Sequence, residues 1–347
     1  MNKDLQNVYT TVRQILGGLD FHSLYPGFHC FDFALYTDEE VCLNGEIFPY
    51  NQSFLGNTAI SYNGRLTAIW KYDFQITMSR LAYCLVHEMF HCFQREKKET
   101  RFPDEMALLS ADLPLDWYYI RHKENLLLAE AYRDKNMDAL GRFHALRRRR
   151  LEMNPAFTEL ECRCETIEGM AEYTGLKALR RLSPADYEAT ASDYLSKLEE
   201  ESALVLDTRR MAYYTGSLFL LTLDELGIPW QNDFQKSDTV YLQNMNLIQP
   251  LSTEAEDYPF LVSLYRQSLE DKKKIVEDMK REGTYTEAPS VICGFDPMNM
   301  LRYKDDLFCR SFIQLKTSNQ TLFIPGPVLL KLKPGTDYEV EGYIIKN

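Results

Sequence analysis

The hydrophobic period changes twice along this 347-residue chain, and that change limits the folds open to it. From Phe28 to about Tyr72 the chain runs in short aromatic and β-branched stretches: FDFALY, EVCLNG, TAISYNG and RLTAIWKY. These read as strands, and Asn-Gly at 44–45 and 63–64 marks hairpin turns, since both residues tolerate positive φ. From about Thr77 to residue 282 the apolar residues recur at helical spacing. Strand-like runs return from Ala288: SVICGF, DLFCRSFIQL, TLFIPGPVLLKL and YEVEGYIIKN. The reading is an α+β fold. Residues 1–75 form a short helix and an antiparallel sheet, 76–284 a helical region, and 285–347 a C-terminal β module.

Local signals divide the helical block. Thr77 can cap a helix to about Lys98, with Met78, Leu81, Leu85, Met89 and Phe93 on one side. A second helical stretch covers about Glu124–Leu151. Thr158 and Glu161 fit a capping box that opens a third through Arg181, which Ser183-Pro184 stops. Another runs from about Thr208 to Leu226 and ends at Gly227 and Pro229. A charged helix over 261–282 closes the block.

Within the first of these helices stands Val86-His87-Glu88-Met89-Phe90-His91, an HExxH motif. Histidines at i and i+4 leave one face of a helix about a turn apart, so both imidazoles can reach one Zn²⁺ at ~2.0–2.1 Å. Glu88, beside the first histidine, is placed to take a proton from water at such an ion. A third protein ligand is then needed. Downstream, Glu168 and Glu172 in Glu165-Thr166-Ile167-Glu168-Gly169-Met170-Ala171-Glu172-Tyr173 share a helix face. One carboxylate can bind metal while the other holds a histidine by its free ring nitrogen. Two exposed acids on a charged helix fit the spacing equally well.

HEMFH followed by EGMAEY resembles the gluzincin group of zinc metallopeptidases, and EGMAEY is similar to the N-E-G-F-A-type motif of its aminopeptidase branch. The resemblance places the third ligand on Glu168 and makes Glu172 the carboxylate behind a ligating histidine. Tyr213-Tyr214-Thr215-Gly216-Ser217-Leu218-Phe219-Leu220 is similar to the branch's Y-x-x-G-x-x-x-L stretch. Aligned on Gly216, it carries the oxyanion-stabilising role to Tyr213, with Tyr214 next. The resemblance implies a zincin-like fold with one Zn²⁺ per chain. It also implies a peptide or protein substrate laid along a sheet edge within 45–72. The 76 residues between His91 and Glu168 exceed the branch's usual spacer, which suggests an inserted helical hairpin over the cleft. The G-x-M-E-N motif that grips a free substrate N-terminus is missing, so aminopeptidase specificity is not implied. Arg209 and Arg210, a turn before the tyrosines, can bind a substrate carboxylate or stand as surface charges.

Composition narrows the partners. A net charge of −12 repels phosphate backbones and anionic lipid, so neither nucleic acid nor a membrane surface is expected. Arg147 to Arg150 point nearly all round one helix, and are expected on a solvated helix paired with nearby acids. No stretch approaches the ~18 apolar residues of a membrane span. The N-terminus lacks the apolar core of a signal peptide, and the eight cysteines form no CxxC pair. Reduced, buried thiols and a cytoplasmic location are therefore expected.

The expected function is that of a zinc metallopeptidase with Glu88 as general base and Tyr213 at the oxyanion. Beside it stand a catalytically inactive peptide- or protein-binding module and a zinc hydrolase of a non-peptide substrate.

Overall fold

The computed structural model describes residues 5–111 and 113–346. Helix α1 (Leu5–Gly17) buries Leu5, Val8, Tyr9, Val12 and Leu16 on one side, and the single turn α2 (Phe21–Leu24) follows, capped by Asp20. Five strands come next: β1 (Asp32–Tyr36), β2 (Glu40–Leu43), β3 (Glu46–Pro49), β4 (Thr58–Tyr62) and β5 (Arg65–Lys71). Asn44-Gly45 and Asn63-Gly64 all take positive φ and turn the β2–β3 and β4–β5 hairpins. The sheet order is β3-β2-β1-β5-β4. It is not wholly antiparallel as expected, because β1 and β5 pair in parallel, Asp32 opposite Thr67. Tight turns announce only neighbouring pairings. The long passage from β1 through β4 returns β5 in the same direction as β1.

Helix α3 (Met78–Glu96), capped by Thr77, packs on β5 and β4 through an apolar face that includes Leu81, Leu85, Met89 and Phe93. Helices α4 (Glu105–Ser110), α5 (Leu115–Asp134) and α6 (Met137–Met153) follow. The expected Glu124–Leu151 stretch is two helices. Lys135 turns left-handed at φ 49°, and Asn136 caps the return. This hairpin packs against α10 (Thr208–Glu225) and α7 (Pro155–Cys164). Asn154, rather than Thr158, caps α7; the Thr158 hydroxyl instead donates to Arg150 O. A π-helical turn over Glu165–Gly169 leads into α8 (Met170–Leu182), and α9 (Pro184–Glu199) precedes α10.

The four arginines do not lie on a solvated face. Arg148 and Arg149 are exposed, but Arg147 and Arg150 are buried with Arg121 among Glu124, Glu161 and Glu165. Arg147 donates to Glu124 and Glu165 at 2.8 Å each, Arg150 to both oxygens of Glu124 and to Glu161, and Arg121 faces Glu161 at 3.2 Å. Acids from three helices balance three guanidinium charges, which is the condition for burying them. Arg150 also lies 4.4 Å over the Trp117 ring.

The chain ends with α11 (Val240–Asn244), α12 (Pro259–Glu282) and seven antiparallel strands. These are β6 (Gly283–Phe295), β7 (Met300–Tyr303), β8 (Asp306–Cys309), β9 (Phe312–Lys316), β10 (Thr321–Pro325), β11 (Val328–Leu332) and β12 (Glu339–Lys346), in the order β10-β9-β6-β12-β11-β8-β7. The first sheet and the central helices share one apolar core, and the second sheet has its own. All cysteines are free. Cys30 and Cys293 are exposed, against the expectation of burial, because they sit in a surface loop and on a half-exposed strand. Among the described residues no helix is long and apolar enough to cross a membrane.

Candidate metal centre

Helical spacing alone carries His87 and His91 to one face of α3. Their Nε2 atoms lie 3.2 Å apart, and Glu168 Oε2 stands 3.7 Å from His87 Nε2 and 3.3 Å from His91 Nε2. These three side chains can hold one metal ion. Glu168 reaches them because the π-helical turn takes up an extra residue. That advances the helix phase, so Glu161 and Glu165 face the buried arginines while Glu168 and Glu172 face α3. Such turns recur at functional sites. The turn is pressed against α10 where Gly169 meets Gly216: a Cβ on Gly169 would lie 2.6 Å from Gly216 Cα. The EGMAEY and YYTG stretches therefore touch at their glycines.

Hydrogen bonds fix which ring nitrogen is offered. Gln94 donates through Nε2 to Ile167 O at 2.9 Å, so its carbonyl faces His91 Nδ1 at 2.8 Å and must accept from it. The His87 Nδ1–H donates to Glu172 Oε2 at 2.9 Å. Tyr83 and Tyr194 both donate to Glu172 Oε1. With Nδ1 committed as donor on each ring, a neutral imidazole presents the Nε2 lone pair toward Glu168, as a metal site requires. The donor set of two imidazoles and one carboxylate thus fits a divalent cation.

The electrostatics agree with a site built for positive charge. Burial pushes His87 down, but the acceptor carboxylates of Glu168 and Glu172 outweigh it and hold its pKa well above the usual range in the absence of an ion. Burial raises Glu168, yet the charges of His91 and Arg209 overcome this and keep it well below the ordinary value. Glu88, 6% exposed, is raised by burial against the opposing pull of His87 and His91. It makes no hydrogen bond or ion pair to any described residue, which leaves its carboxylate for a ligand.

The other candidates separate. Tyr213 lies parallel to the His87 ring, centroids 5.8 Å apart and planes 4° apart. Burial and then the Glu168 charge push its phenol well above the ordinary pKa, keeping it a donor. Tyr214 turns the other way and packs edge-on to Tyr194 at 4.7 Å. Arg209 is drawn onto Glu168 Oε1 at 2.7 Å and onto Glu105. Arg210 pairs with Asp207 at 2.6 Å and donates to Met298 O, away from the three ligands. Sequence reasoning did not single out Gln94, Tyr83, Tyr194 or Glu105. Tyr83 and Gln94 lie one turn from a histidine on the same helix, so spacing held a signal for those two. Tyr194 and Glu105 arrive from other helices and left none.

Compared with known proteins, the chain matches no family model, no curated protein and no solved structure.

Proposed function

We propose that this protein is a zinc-dependent metallopeptidase with a zincin-like fold, similar to the gluzincin group. The observation that carries the reading is the convergence of His87 Nε2, His91 Nε2 and Glu168 Oε2 beside a buried Glu88 that makes no hydrogen bond or ion pair to any described residue. Two nitrogen donors and one oxygen donor are a typical protein set for catalytic zinc, with room for a further ligand. When bound, the ion supplies Lewis acidity that acidifies water and polarises a carbonyl.

The chain's own residues supply the rest. His87, His91 and Glu168 would hold the ion, and Glu172, Tyr83, Tyr194 and Gln94 keep the two imidazoles oriented. Glu88 takes the proton of the attacking water and delivers it to the leaving amine, a transfer favoured by a carboxylate whose pKa burial has raised. The Tyr213 phenol donates to the oxyanion without adding a formal charge. Of the two edge strands of the first sheet, β3 and β4, it is β4 that packs beside α3, so an extended peptide paired with it would run past the site.

Metal content and hydrolysis test this together. Protein purified without added metal is expected to carry about one zinc per chain, lost in His87→Ala. Glu88→Gln is expected to keep the zinc and lose peptide hydrolysis. A zinc-free wild type that takes up none on titration refutes the metal site; full activity in Glu88→Gln refutes the mechanism.

A further inference from the structure

Arg209 brings a guanidinium against a candidate metal ligand, an unusual place for a cation. It opens α10, its side chain is 14% exposed, and its two terminal nitrogens go to different acids: Nη2 to Glu168 Oε1 at 2.7 Å and Nη1 to Glu105. Glu168 therefore commits Oε1 to Arg209 and turns only Oε2 toward the histidines. Glu105 is the first residue of α4, and α4 belongs to the C-terminal sheet more than to the helices around it. Met106 is buried in that sheet's core with Leu307, Leu315 and Val328. Tyr338 donates to Asp104, the α4 cap, at 3.0 Å, and Arg302 donates to Ser110 at the far end. On its other side α4 borders a cavity of about 300 Å³ walled by Leu108, Phe157, Leu206, Arg209 and Tyr265. Leu108 also reaches the helical cluster of Trp117 and Phe157, but the fully buried anchor of α4, Met106, and the bonds at both its ends belong to the sheet module, so the sheet fixes where α4 stands.

We infer that Arg209 is a positioning residue for the metal centre, and that the C-terminal sheet sets it through α4 and Glu105. This rests on the reading that His87, His91 and Glu168 bind a metal. Two consequences follow from the chemistry. With Oε1 held by a bidentate-capable guanidinium, Glu168 offers the ion one oxygen and leaves coordination positions open. Glu105 carries part of the guanidinium charge, which would otherwise rest on Glu168 alone and compete with a divalent cation for that carboxylate. The β module is then part of the site's construction, acting through three side chains in series: Glu105, Arg209 and Glu168.

The test measures zinc affinity of the full chain by competition with a chromophoric chelator, and the visible absorption of the cobalt(II)-loaded protein. Glu105→Gln keeps an acceptor and removes the charge. It is expected to weaken zinc by about tenfold, the scale on which partners of metal ligands act. Arg209→Met frees Glu168 to bind through both oxygens, so the cobalt bands should lose intensity as the coordination number rises. Because Glu105 acts through Arg209, adding Glu105→Gln to Arg209→Met should change neither readout. Tyr338→Phe, which loosens α4 at the sheet, should shift zinc affinity in the direction of Glu105→Gln and be silent beside Arg209→Met. Should Arg209→Met fail to fold, Arg209→Gln replaces it, removing the charge while keeping a polar head group; Glu105→Gln added to it should again leave zinc affinity unchanged. Wild-type zinc affinity and cobalt spectrum in a folded Glu105→Gln overturn the inference and leave the metal site standing. So does an equal loss from Glu105→Gln with and without Arg209. A wild type that binds neither metal overturns both readings.

Discussion

An alanine at position 216 would place its Cβ 2.8 Å from Gly169 Cα, 2.9 Å from Glu165 O and 3.0 Å from Glu165 Cα. Carbon–carbon contacts are comfortable at about 3.5–4.0 Å. The facing atoms are backbone, with no side chain to swing aside, so α10 and the π-helical turn must part by roughly 0.7–1 Å. Overpacking of this kind costs about 1–3 kcal/mol, against a gain of about 1 kcal/mol from replacing glycine inside a helix. The expected net is a loss of up to about 2 kcal/mol for Gly216→Ala. The sign is diagnostic, because Gly17→Ala in α1, where nothing lies within 4 Å, should be neutral or stabilising. The same displacement carries Arg209 and Tyr213 away from Glu168, beyond the roughly 0.5 Å that a metal or catalytic geometry tolerates. Urea denaturation followed by circular dichroism and a zinc titration measure the two effects. A Gly216→Ala protein as stable as wild type, with equal zinc affinity, would refute the argument that this glycine contact assembles the centre.

Other side chains give independent checks. Arg150→Met strips Glu124 and Glu161 of a buried partner and should cost about 3–5 kcal/mol, whereas Arg149→Ala should stay within about 0.5 kcal/mol; similar effects in the urea assay would contradict the buried network. Burial and the charges of Arg148 and Arg147 lower His144 to about 4, and burial with Lys123 lowers His122 to about 4. Unfolding lets each imidazole protonate near 6.5, so their contribution is complete above that pH and is lost as pH falls toward 4, about 2 kcal/mol each by pH 5. His144→Gln should therefore flatten the fall in stability between pH 7 and 5, and an unchanged slope would contradict the assignment. Tyr213→Phe should retain zinc and lower kcat about 100-fold while Tyr214→Phe changes little; equal rates in the two variants would remove Tyr213 from the oxyanion role.

Signals confined to one or two turns of chain were legible without a structure. HEMFH needs only the helical period to bring His87 and His91 together, and Asn44-Gly45 and Asn63-Gly64 need only their own φ angles to turn a hairpin. Thr77 caps α3 by reaching Arg80 N three residues away. Glu168 and Glu172 were visible as a pair one turn apart, but nothing local distinguished ligands from solvated acids. The parallel pairing of β1 with β5 had no local signature. Neither did the π-helical turn that rephases Glu168, nor the burial of Arg147 and Arg150.

By itself the sequence determined the α+β order of elements, the two histidines with Glu88 between them, and the acids and tyrosines available downstream. Only the tertiary structure decided which of those side chains meet. It turned Tyr213 toward His87 and Tyr214 away, drew Arg209 onto Glu168 and Glu105, and seated Met106 in the core of the second sheet. The physical reason is range. Periodicity, capping and turn conformation are set by atoms within about one helical turn, whereas partner choice for a buried charge is set by whatever the packed helices bring opposite it.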